Sequence, residues 1–506
     1  MMGFQSDYQP KLFYLSIHLE ERIPDHHVLR RIKSRVDFDF IYDEVQDRYG
    51  ENGNVSVPPP VILRMMLLVV LYNVRSEREL MSTIPLRLDW LWFLGYDLDS
   101  VIPDPSVLSK ARARWGAEAF RRFFERIVWQ CAEAGLVDGT KLFVDSSLIQ
   151  ADASNNSVVS REALKPYLVK GCRELELRLD DQPTAPVPDD PPEDPKSGAA
   201  NRRHVSTTDP DASVVRQGKD GARLKYKVHR AVDASHEIIT ATEVTTGETN
   251  EAHRLVPLME QHGRNTQQAA GVVVADTKYG TVDNYLSCHD RGIRAHIPDI
   301  KQSQENTGRR KGIFSEQAFR YNPETDRYLC PAGQELAPRR HHVTRQAVDY
   351  LCARGICEAC ALRSQCTTAK AGRSIKRHLR QQELDRMREQ ARSASARQDI
   401  RTRQHLMERS FAWSVRYGFK RARWRRLWRV QIQEYLTAAV QNMMILLRHV
   451  KERGVACGMT LPTATSGASL VPHHRILCGI ASFGSRMGSF FTNRIGVSGY
   501  RRCPVH

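Results

Sequence analysis

Two aspartates follow short apolar runs, and their positions could support metal chemistry. Asp145 comes directly after Lys141-Leu-Phe-Val, and Asp276 comes directly after Val272-Val-Val-Ala. Such runs predict short buried strands, so each carboxylate would lie where a strand ends at the rim of a sheet. If the two strands are neighbours, both carboxylates can reach one ion, and Mg2+ prefers a few carboxylate oxygens as ligands. The pair is therefore a candidate site for a hard divalent cation.

A third acid, Glu408, stands alone in a strongly basic stretch. It is the only acid between Arg401 and Arg429, a span that carries ten basic residues. Phosphodiester chemistry with two metal ions needs a further ligand, usually a carboxylate, and Glu408 is the candidate. An ion pair is the alternative, because Arg401 lies seven residues earlier on nearly the same face of a helix. Asp152 and Asp233 are rival ligands, but we expect Asp233 in a hairpin turn and Asp152 at a cap or exposed.

Four cysteines have a spacing that is typical of a structural zinc site. Cys357 and Cys360 form a Cys-x2-Cys pair, and Cys330 and Cys366 lie on either side of it. Structural Zn2+ is held by four such ligands in a tetrahedron. The four residues are candidate zinc ligands. Two alternatives stay open, since Cys352 could replace one ligand and the cysteines could be reduced buried thiols.

A basic stretch rich in aromatic residues surrounds Glu408 and predicts contacts with a polyanion. Its cations would neutralise phosphates, and its tryptophans would stack on distorted or flipped bases. Alternatively, the aromatic residues pack a helix onto the sheet while the cations remain solvated. The candidate DNA-binding residues, with one lysine from an upstream strand, are Arg403, Arg409, Arg416, Lys420, Arg421, Arg423, Trp424, Arg425 and Lys227.

The elements that must position these residues predict an α+β fold. Apolar residues recur at three- and four-residue steps up to residue 136, which indicates an all-helical N-terminal domain, 10–136. Alternating and β-branched stretches in 137–300 predict a mixed sheet flanked by helices. A Pro- and Asp-rich loop at 180–201 is expected to be disordered. A basic Cys-bearing insertion without a regular pattern, 301–376, precedes helices at 377–451 that complete the core, and 452–506 is expected to be a poorly ordered tail.

Three local predictions are more specific. Residues 223–232 and 238–244 are expected to pair as a hairpin. Asp104 and Pro105 mark the start of a helix through Arg114. One helix is expected to run from Arg401 to about Lys451.

The charge of the chain favours a polyanionic partner. Its 506 residues include 75 Lys and Arg against 58 Asp and Glu, a formal net charge of +17. A positive field of this size attracts DNA, RNA or anionic lipid. The most apolar run, 61–74, is too short to span a membrane and contains Arg64, and the N-terminus has no signal-peptide pattern. We therefore expect a cytoplasmic protein that binds nucleic acid and no membrane.

Several blocks of the sequence together resemble bacterial insertion-sequence transposases of the DDE class. The blocks with acids are Phe143-Val-Asp-Ser-Ser, Val274-Ala-Asp-Thr-Lys-Tyr-Gly and Glu408-Arg-Ser-Phe, the last followed by Gly418-Phe-Lys-Arg-Ala-Arg. Further blocks are Thr207-Thr-Asp-Pro-Asp-Ala, Tyr226-Lys-Val-His and Val101-Ile-Pro-Asp-Pro-Ser, so the likeness extends from about residue 10 to 450. Relatives usually place a Lys about two turns after the Glu. This chain has Arg416 as the nearest cation, and its spacing from Glu408 to Gly418 is one residue shorter.

The resemblance implies a ribonuclease-H-like core in which Asp145, Asp276 and Glu408 hold two Mg2+ or Mn2+ ions. It implies a DNA transposase, a polynucleotidyl transferase and endonuclease that cleaves the ends of its insertion sequence and joins the 3′-OH to target DNA. The implied partners are the terminal inverted repeats, target DNA and a second copy of the chain, in a bacterial, nucleoid-associated setting. Two alternatives stay open: a catalytically degraded DNA-binding derivative, such as a repressor or domesticated copy, and a ribonuclease-H-fold nuclease without strand transfer.

Overall fold

A six-stranded sheet organises the computed structural model, which describes residues 18–50, 55–160, 199–218, 221–301, 311–353 and 355–449. A separate two-stranded ribbon is formed by β2 (Val158–Ser160) and β3 (His204–Ser206). The strands of the main sheet are β1 (Lys141–Gln150), β4 (Ser213–Val215), β5 (Arg223–Asp233), β6 (Ile239–Thr246), β7 (Val272–Val274) and β8 (Arg294–His296).

The strand directions in the main sheet match the predicted ribonuclease-H-like α+β fold. The order is β4-β5-β1-β7-β8, and β6 also pairs with β5. β1, β4 and β6 each run antiparallel to β5, and β7 and β8 continue the sheet parallel to β1. The predicted hairpin is confirmed as β5 and β6. The three valines of β7 are buried, as expected for a strand covered on both faces.

Helices make up the described part of the N-terminal region. Pro59 and Pro60 occupy the first turn of its most apolar helix, where a missing N–H costs no hydrogen bond. Asp104 Oδ1 accepts from the Ser106 N–H at 2.8 Å, and the helix that begins at Ser106 continues past the expected segment to Glu133. The helices are α1 (Leu19–Arg22), α2 (Val28–Arg35), α3 (Phe40–Val45), α4 (Pro59–Leu71), α5 (Glu77–Thr83), α6 (Leu88–Leu94) and α7 (Ser106–Glu133).

The prediction of one helix from Arg401 to about Lys451 is wrong. The first helix ends at Arg416, and an irregular segment separates it from the next, which begins at Leu427. Gly418 has φ of 80° and Arg426 has φ of 78°, values that a right-handed helix cannot contain. The helices of the central and C-terminal regions are α8 (Ala199–Arg203), α9 (Leu255–Thr266), α10 (Val282–Asp290), α11 (Arg363–Cys366), α12 (Gln381–Ala391), α13 (Ala394–Arg416) and α14 (Leu427–His449).

The insertion at 301–376 has regular structure, contrary to the prediction from its sequence. A five-stranded antiparallel sheet, ordered β13-β12-β11-β10-β9, crosses it. Its core is small, so exposed Arg, His and Glu side chains mask the alternation that marks a strand. The strands are β9 (Arg320–Asn322), β10 (Arg327–Leu329), β11 (Glu335–His342), β12 (Ala347–Leu351) and β13 (Ser374–His378).

One hydrophobic core joins the N-terminal helices to the main sheet and α14. It includes Phe123 and Phe124 of α7, Phe143 of β1 and Leu436 of α14. Phe124 also stacks on Tyr435 of α14, with ring centroids 5.9 Å apart. Residues 180–198 of the predicted disordered loop and the whole predicted tail, 452–506, lie outside the described residues. Among the helices described, none has both the length and the apolar character needed to cross a membrane.

Candidate active site

Asp145 and Asp276 lie beside each other at the end of β7. Asp276 lies just beyond β7, but Asp145 lies inside β1, which continues to Gln150, so the prediction that the first strand ends at Asp145 is wrong. β1 and β7 run parallel, and Phe143 pairs with Val274 in their register. Each aspartate follows its paired residue by two positions, so the carboxylates emerge side by side. Burial raises the pKa of both acids, and the nearby charge of Asp276 adds to the rise at Asp145. The structure therefore brings the two predicted acids together at one edge of the sheet.

The guanidinium of Arg403 lies against these acids. Its Nη1 donates to Asp145 Oδ2 at 2.6 Å, and the backbone N–H of Ser146 donates to Oδ1 at 2.8 Å. The charge of Arg403 opposes the effect of burial on the pKa of Asp145 and also on that of Asp276. The Arg403 side chain is only 10% exposed. A residue expected to contact DNA is thus enclosed beside the candidate metal ligands.

Helix α13 is held along β1 by a second polar contact, one turn before Arg403. Asp399 Oδ1 accepts from Lys141 Nζ at 2.8 Å, and its Oδ2 lies 2.7 Å from His296 Nδ1. Lys141 begins β1 and His296 ends β8, so Asp399 ties α13 to two strands. These contacts fix the helix that carries Glu408.

Glu408 lies on the wall of the same cavity as Asp145. The cavity has a volume of about 410 Å³ and is also lined by Lys420 and Phe411. The Glu408 side chain is exposed, and Gln404 Nε2 lies 3.4 Å from its Oε1. The expected rival ion pair with Arg401 does not occur in the described structure. Asp145 and Glu408 therefore line one cavity, whereas Asp276 is not among its lining residues. In the described residues, none of the three acids belongs to a group of three whose ligand atoms all lie within 4.8 Å of one another.

Two residues that sequence reasoning did not assign to the site, Glu251 and Lys278, lie close to Asp276. Glu251 is 7% exposed and binds the ammonium groups of Lys227 and Lys278, at 3.1 and 3.0 Å. Although burial acts against it, these two cations hold the pKa of Glu251 below its usual value. Lys278 is two residues from Asp276, a proximity that the sequence already contained. Glu251 lies 25 residues before Asp276 and carried no comparable signal.

Tyr279 is completely buried beneath the acids. Burial, with the charges of Asp145, Glu251 and Asp276, raises the pKa of its hydroxyl well above the usual value. Within the described residues this hydroxyl makes no hydrogen bond of ordinary geometry, although Ser146 is near enough to moderate its pKa. A buried donor without a partner beside three carboxylates suits a site that receives further oxygen ligands. The donor set of carboxylate oxygens fits Mg2+ or Mn2+.

The rival acids lie where we expected them. Asp233 accepts hydrogen bonds from the backbone N–H groups of Gly139 and Ser235, at 2.8 and 2.9 Å, and so belongs to the hairpin turn. Asp152 pairs with Arg421 and Arg425 on the surface. Neither aspartate faces the pair on β1 and β7.

Most of the predicted DNA-binding residues have partners within the protein. Arg409 pairs with Glu237, and Arg421 and Arg425 pair with Asp152. The Arg423 guanidinium donates to Asn73 Oδ1 and to the Val74 and Tyr417 carbonyls. The Trp424 ring lies under the Arg112 guanidinium, 4.1 Å from the ring centroid, and Lys227 binds Glu251.

Arg416 and Lys420 are the two exceptions in that predicted set. Both side chains are exposed, and neither has an ion-pair partner in the described part of the chain. Lys420 lines the cavity that contains Asp145 and Glu408. Arg416 is not among the residues that line this cavity.

Five cysteines surround one narrow cavity in the insertion. Cys330, Cys357, Cys360 and Cys366 all line it, and Cys352 joins them. Burial, with the contact to Cys357, raises the pKa of the Cys352 thiol to about 12. The alternative ligand considered from the sequence is thus adjacent to the predicted four. Within the described residues, no three of these sulfur atoms all lie within 4.8 Å of one another.

His289, Asp290 and Glu383 do meet that distance criterion in the described residues. Arg380 binds both acids, through Asp290 and Glu383. The cluster is exposed or half-buried, and an internal cation already compensates its charge. It is an ion-paired surface cluster, and its residues line neither the cavity with Asp145 and Glu408 nor the cysteine cavity.

Two family models match the chain. A model described as "Transposase domain (DUF772)" matches residues 17–114, and one described as "Transposase DDE domain" matches residues 329–447. The second region includes Glu408 and the five cysteines. A search of curated proteins gave no match.

Two solved structures resemble the chain loosely. The cryo-EM structure of the piggyBac transposase synaptic complex with hairpin DNA is 9% identical, covers 83% of this chain and 72% of its own, and has a TM-score of 0.29. The Mos1 transposase paired-end complex with left transposon end is 11% identical, covers 51% of this chain and 64% of its own, and has a TM-score of 0.16. With TM-scores below 0.5, these likenesses carry no weight for this chain.

Proposed function

The chain belongs to the DDE-type transposases, and on that premise we propose that it cleaves the ends of its insertion sequence and joins the freed 3′-OH to target DNA. The observation that carries the proposal is the side-by-side placement of Asp145 and Asp276, with Glu408 on the wall of the cavity that Asp145 also lines. A net charge of +17 supports DNA as the partner.

Asp145, Asp276 and Glu408 are the proposed ligands of two Mg2+ or Mn2+ ions. Bound there, such ions supply Lewis-acid activation of the attacking oxygen and stabilise charge on the departing oxygen. The chain's own part is to orient the acids. The Ser146 N–H holds Asp145 Oδ1, and the Arg403 guanidinium holds Oδ2.

The proposed reaction has two phosphoryl transfers. In the first, water attacks the phosphodiester at the element end, which breaks the bond to the 3′ oxygen and leaves a 3′-OH and a 5′-phosphate. In the second, this 3′-OH attacks a target phosphodiester and releases a target 3′-OH. No covalent protein intermediate is required, so the buried Tyr279 hydroxyl needs no role as a nucleophile.

The helical region, 10–136, is the proposed element-end-binding part, and a homodimer would bring two ends together. The sheet of 137–300 and the helices of 377–451 are the proposed catalytic core, with 301–376 inserted in it. The match to 17–114 lies within the first of these parts, and the match to 329–447 spans portions of the insertion and of the C-terminal helices.

The direct test is cleavage and joining by the purified full-length protein with Mg2+. The substrate is a labelled duplex that carries the inverted repeats bracketing its reading frame. Asp145→Asn, Asp276→Asn and Glu408→Gln should each lower cleavage by more than about 100-fold, because loss of even an outer-shell partner of a metal ligand costs 10–100-fold. DNA binding should persist in all three variants.

Asp152→Asn is the matched control, since Asp152 is an aspartate that follows the same strand but pairs with surface arginines. It should cleave like the wild type. Cleavage without joining would favour the nuclease reading, and binding without cleavage would favour the degraded derivative. Full activity of the Glu408→Gln variant would remove Glu408 from the ligand set.

We further propose a structural Zn2+ held by four of the five cysteines around the insertion cavity. Metal analysis of the purified protein should give about one zinc per chain. Cys357→Ser and Cys360→Ser should remove it, whereas Cys131→Ser, a cysteine buried in the main core, should not. A metal-free protein with the same thermal stability in chelator and in zinc would contradict the proposal.

A further inference from the structure

Lys278 presents an exposed cation at the edge of the candidate active site. Its side chain is 67% exposed, and the residue lies two positions after Asp276 in the chain. Asp276 Oδ1 also accepts from the Lys278 backbone N–H at 3.0 Å. The same carboxylate therefore caps the turn that carries the lysine, and the two side chains are fixed relative to each other.

Glu251 holds the Lys278 ammonium in place from the other side. One carboxylate binds two lysines, and the second, Lys227, is buried and also donates to the Thr249 carbonyl at 2.7 Å. Lys227 alone would neutralise Glu251. The second ammonium leaves this group of three with a net positive charge, and the exposed part of that charge is on Lys278.

The two turns that carry these residues are tied together. Asn284 Nδ2 donates to the Ala252 carbonyl and to the Tyr279 carbonyl, both at 2.9 Å. Asn284 thereby links the turn after Glu251 to the turn after Asp276. A lysine held by a buried acid on a braced turn loses less side-chain entropy when it binds a ligand.

A surface ion pair of no functional consequence is the simpler explanation, and two features oppose it. Glu251 is buried, whereas both partners of an ordinary surface ion pair are exposed to solvent. The lysine also stands beside two acids that themselves must face DNA in the proposed function. The net positive charge of the group formed by Glu251 and its two lysines offsets the repulsion between those acids and a phosphate.

We propose that Lys278 binds a phosphate of the DNA strand that is cut, and that Glu251 is the positioning residue that holds it. This inference rests on the proposed function and adds a phosphate-binding residue to the site. It names a phosphodiester next to the cleavage position as the ligand.

Binding to the duplex end, measured in Ca2+ or in chelator, tests the inference without catalysis. Lys278→Gln should weaken binding about 5-fold and lower the slope of log Kd against log salt by about 1. Lys278→Arg should restore most of the affinity. Lys370→Gln, which removes an exposed lysine in the insertion, should change neither quantity.

A duplex with one neutral methylphosphonate identifies the contact. When the neutral group replaces the phosphate next to the cleavage position, wild type and Lys278→Gln should bind equally. If the 5-fold difference persists with every single replacement near that position, Lys278 does not bind there. Equal binding of both proteins to the unmodified duplex would also overturn the inference.

Glu251→Gln separates positioning from simple charge. It removes a negative charge, so affinity should stay within about 2-fold of wild type, while single-turnover cleavage should fall about 10-fold. A positioning role would be contradicted if affinity and cleavage fell in proportion, or if neither fell. If the wild type binds DNA but never cleaves it, the proposed function is wrong, and the binding comparison still tests the role of Lys278. If the wild type cleaves DNA and Lys278→Gln binds and cleaves equally well, only the inference about Lys278 is wrong.

Discussion

Burial of the His229 imidazole in the sheet makes the stability of the folded protein depend on pH. It lies on β5 with no solvent exposure, and its Nε2 is 2.9 Å from Thr245 Oγ1. Burial, with smaller effects from Lys227 and Arg254, lowers the pKa of His229 from 6.5 to about 3. The folded protein therefore keeps it neutral over a range in which the unfolded chain would protonate it.

Acid should destabilise the protein through His229. Between pH 6.5 and about 3 the unfolded state binds one more proton than the folded state, so the free energy of unfolding falls as pH falls, by about 1.4 kcal/mol per unit. Above pH 6.5 this contribution is fully present. Urea unfolding of wild type and His229→Gln at several pH values should show a shallower slope in the variant. His341→Gln, at an exposed histidine, should keep the wild-type slope.

At the scale of elements, one buried ion pair joins the sheet to both helices that flank the site. Arg230 is the register partner of Asp145 on β5. Its Nε and Nη2 bind Glu434 of α14 at 2.6 and 2.8 Å, and its Nη1 donates to the Ser410 carbonyl of α13 at 3.1 Å. Both charged side chains are fully buried. The position of α13, and hence of Glu408, depends on this contact.

Removing one partner of the pair should be costly. Arg230→Met or Glu434→Gln should each lower the free energy of unfolding by about 3–5 kcal/mol, because an uncompensated charge or polar group stays buried. The double variant Arg230→Met, Glu434→Met should lose less than the sum. Arg327→Ala, at an ion pair about half exposed, should cost at most about 1 kcal/mol. Single variants as stable as that control would show that the pair is not coupled to the fold.

Helix α7 is broken at Gly116. This residue has φ of 66° and ψ of −173°, a conformation nearly restricted to glycine. The Arg48 side chain donates to the Arg114 and Trp115 carbonyls, at 3.2 and 2.8 Å, which satisfies the interrupted helix. Because of this break, the residues before and after Gly116 pack against the core as two helical segments with different directions.

Gly116→Ala should therefore lower the free energy of unfolding by about 1–3 kcal/mol through backbone strain. The added Cβ would lie 3.6 Å from Arg48 Nη1, so steric overlap contributes little. Gly221→Ala is the control, since no atom lies within 4 Å of its added Cβ. Thermal melting of the two variants measures this difference in stability. An equal Tm for both would contradict the expected backbone strain at position 116.

At the scale of the whole molecule, the net charge governs attraction to polyanions, whereas the hydrophobic core governs how the helices and the sheet are held together. The positive charge of +17 is spread over the chain and attracts polyanions at a distance. The core is shared, because the N-terminal helices pack with the sheet and α14. The N-terminal helices thus support the site by packing as well as by any contact with DNA.

DNA binding should weaken steeply as salt rises. Each phosphate contact adds about 0.9 to the slope of log Kd against log salt on duplex DNA. Arg416→Gln and Lys420→Gln, at two exposed cations, should each lower that slope by about 1, whereas Arg345→Gln in the insertion should not. Fluorescence anisotropy between about 50 and 200 mM salt measures it. Salt-independent binding would remove the electrostatic basis for a DNA partner.

The sequence by itself determined the features that depend on neighbouring residues. The apolar runs before Asp145 and Asp276 form strands, and the alternation around residues 223–244 forms the hairpin. These features are local, because β-branched and aromatic residues are enriched in strands. The two aspartates were recognisable because each directly follows such a run, although β1 continues past Asp145 to Gln150.

Only the tertiary structure decided which distant groups meet. Arg403 reaches Asp145 across 258 residues of sequence, and Glu251 binds Lys278 across 27. The insertion sheet also escaped prediction, since its small core leaves little alternation to detect. Such pairings follow from strand register and helix docking, which the whole core sets together and no single stretch of sequence contains.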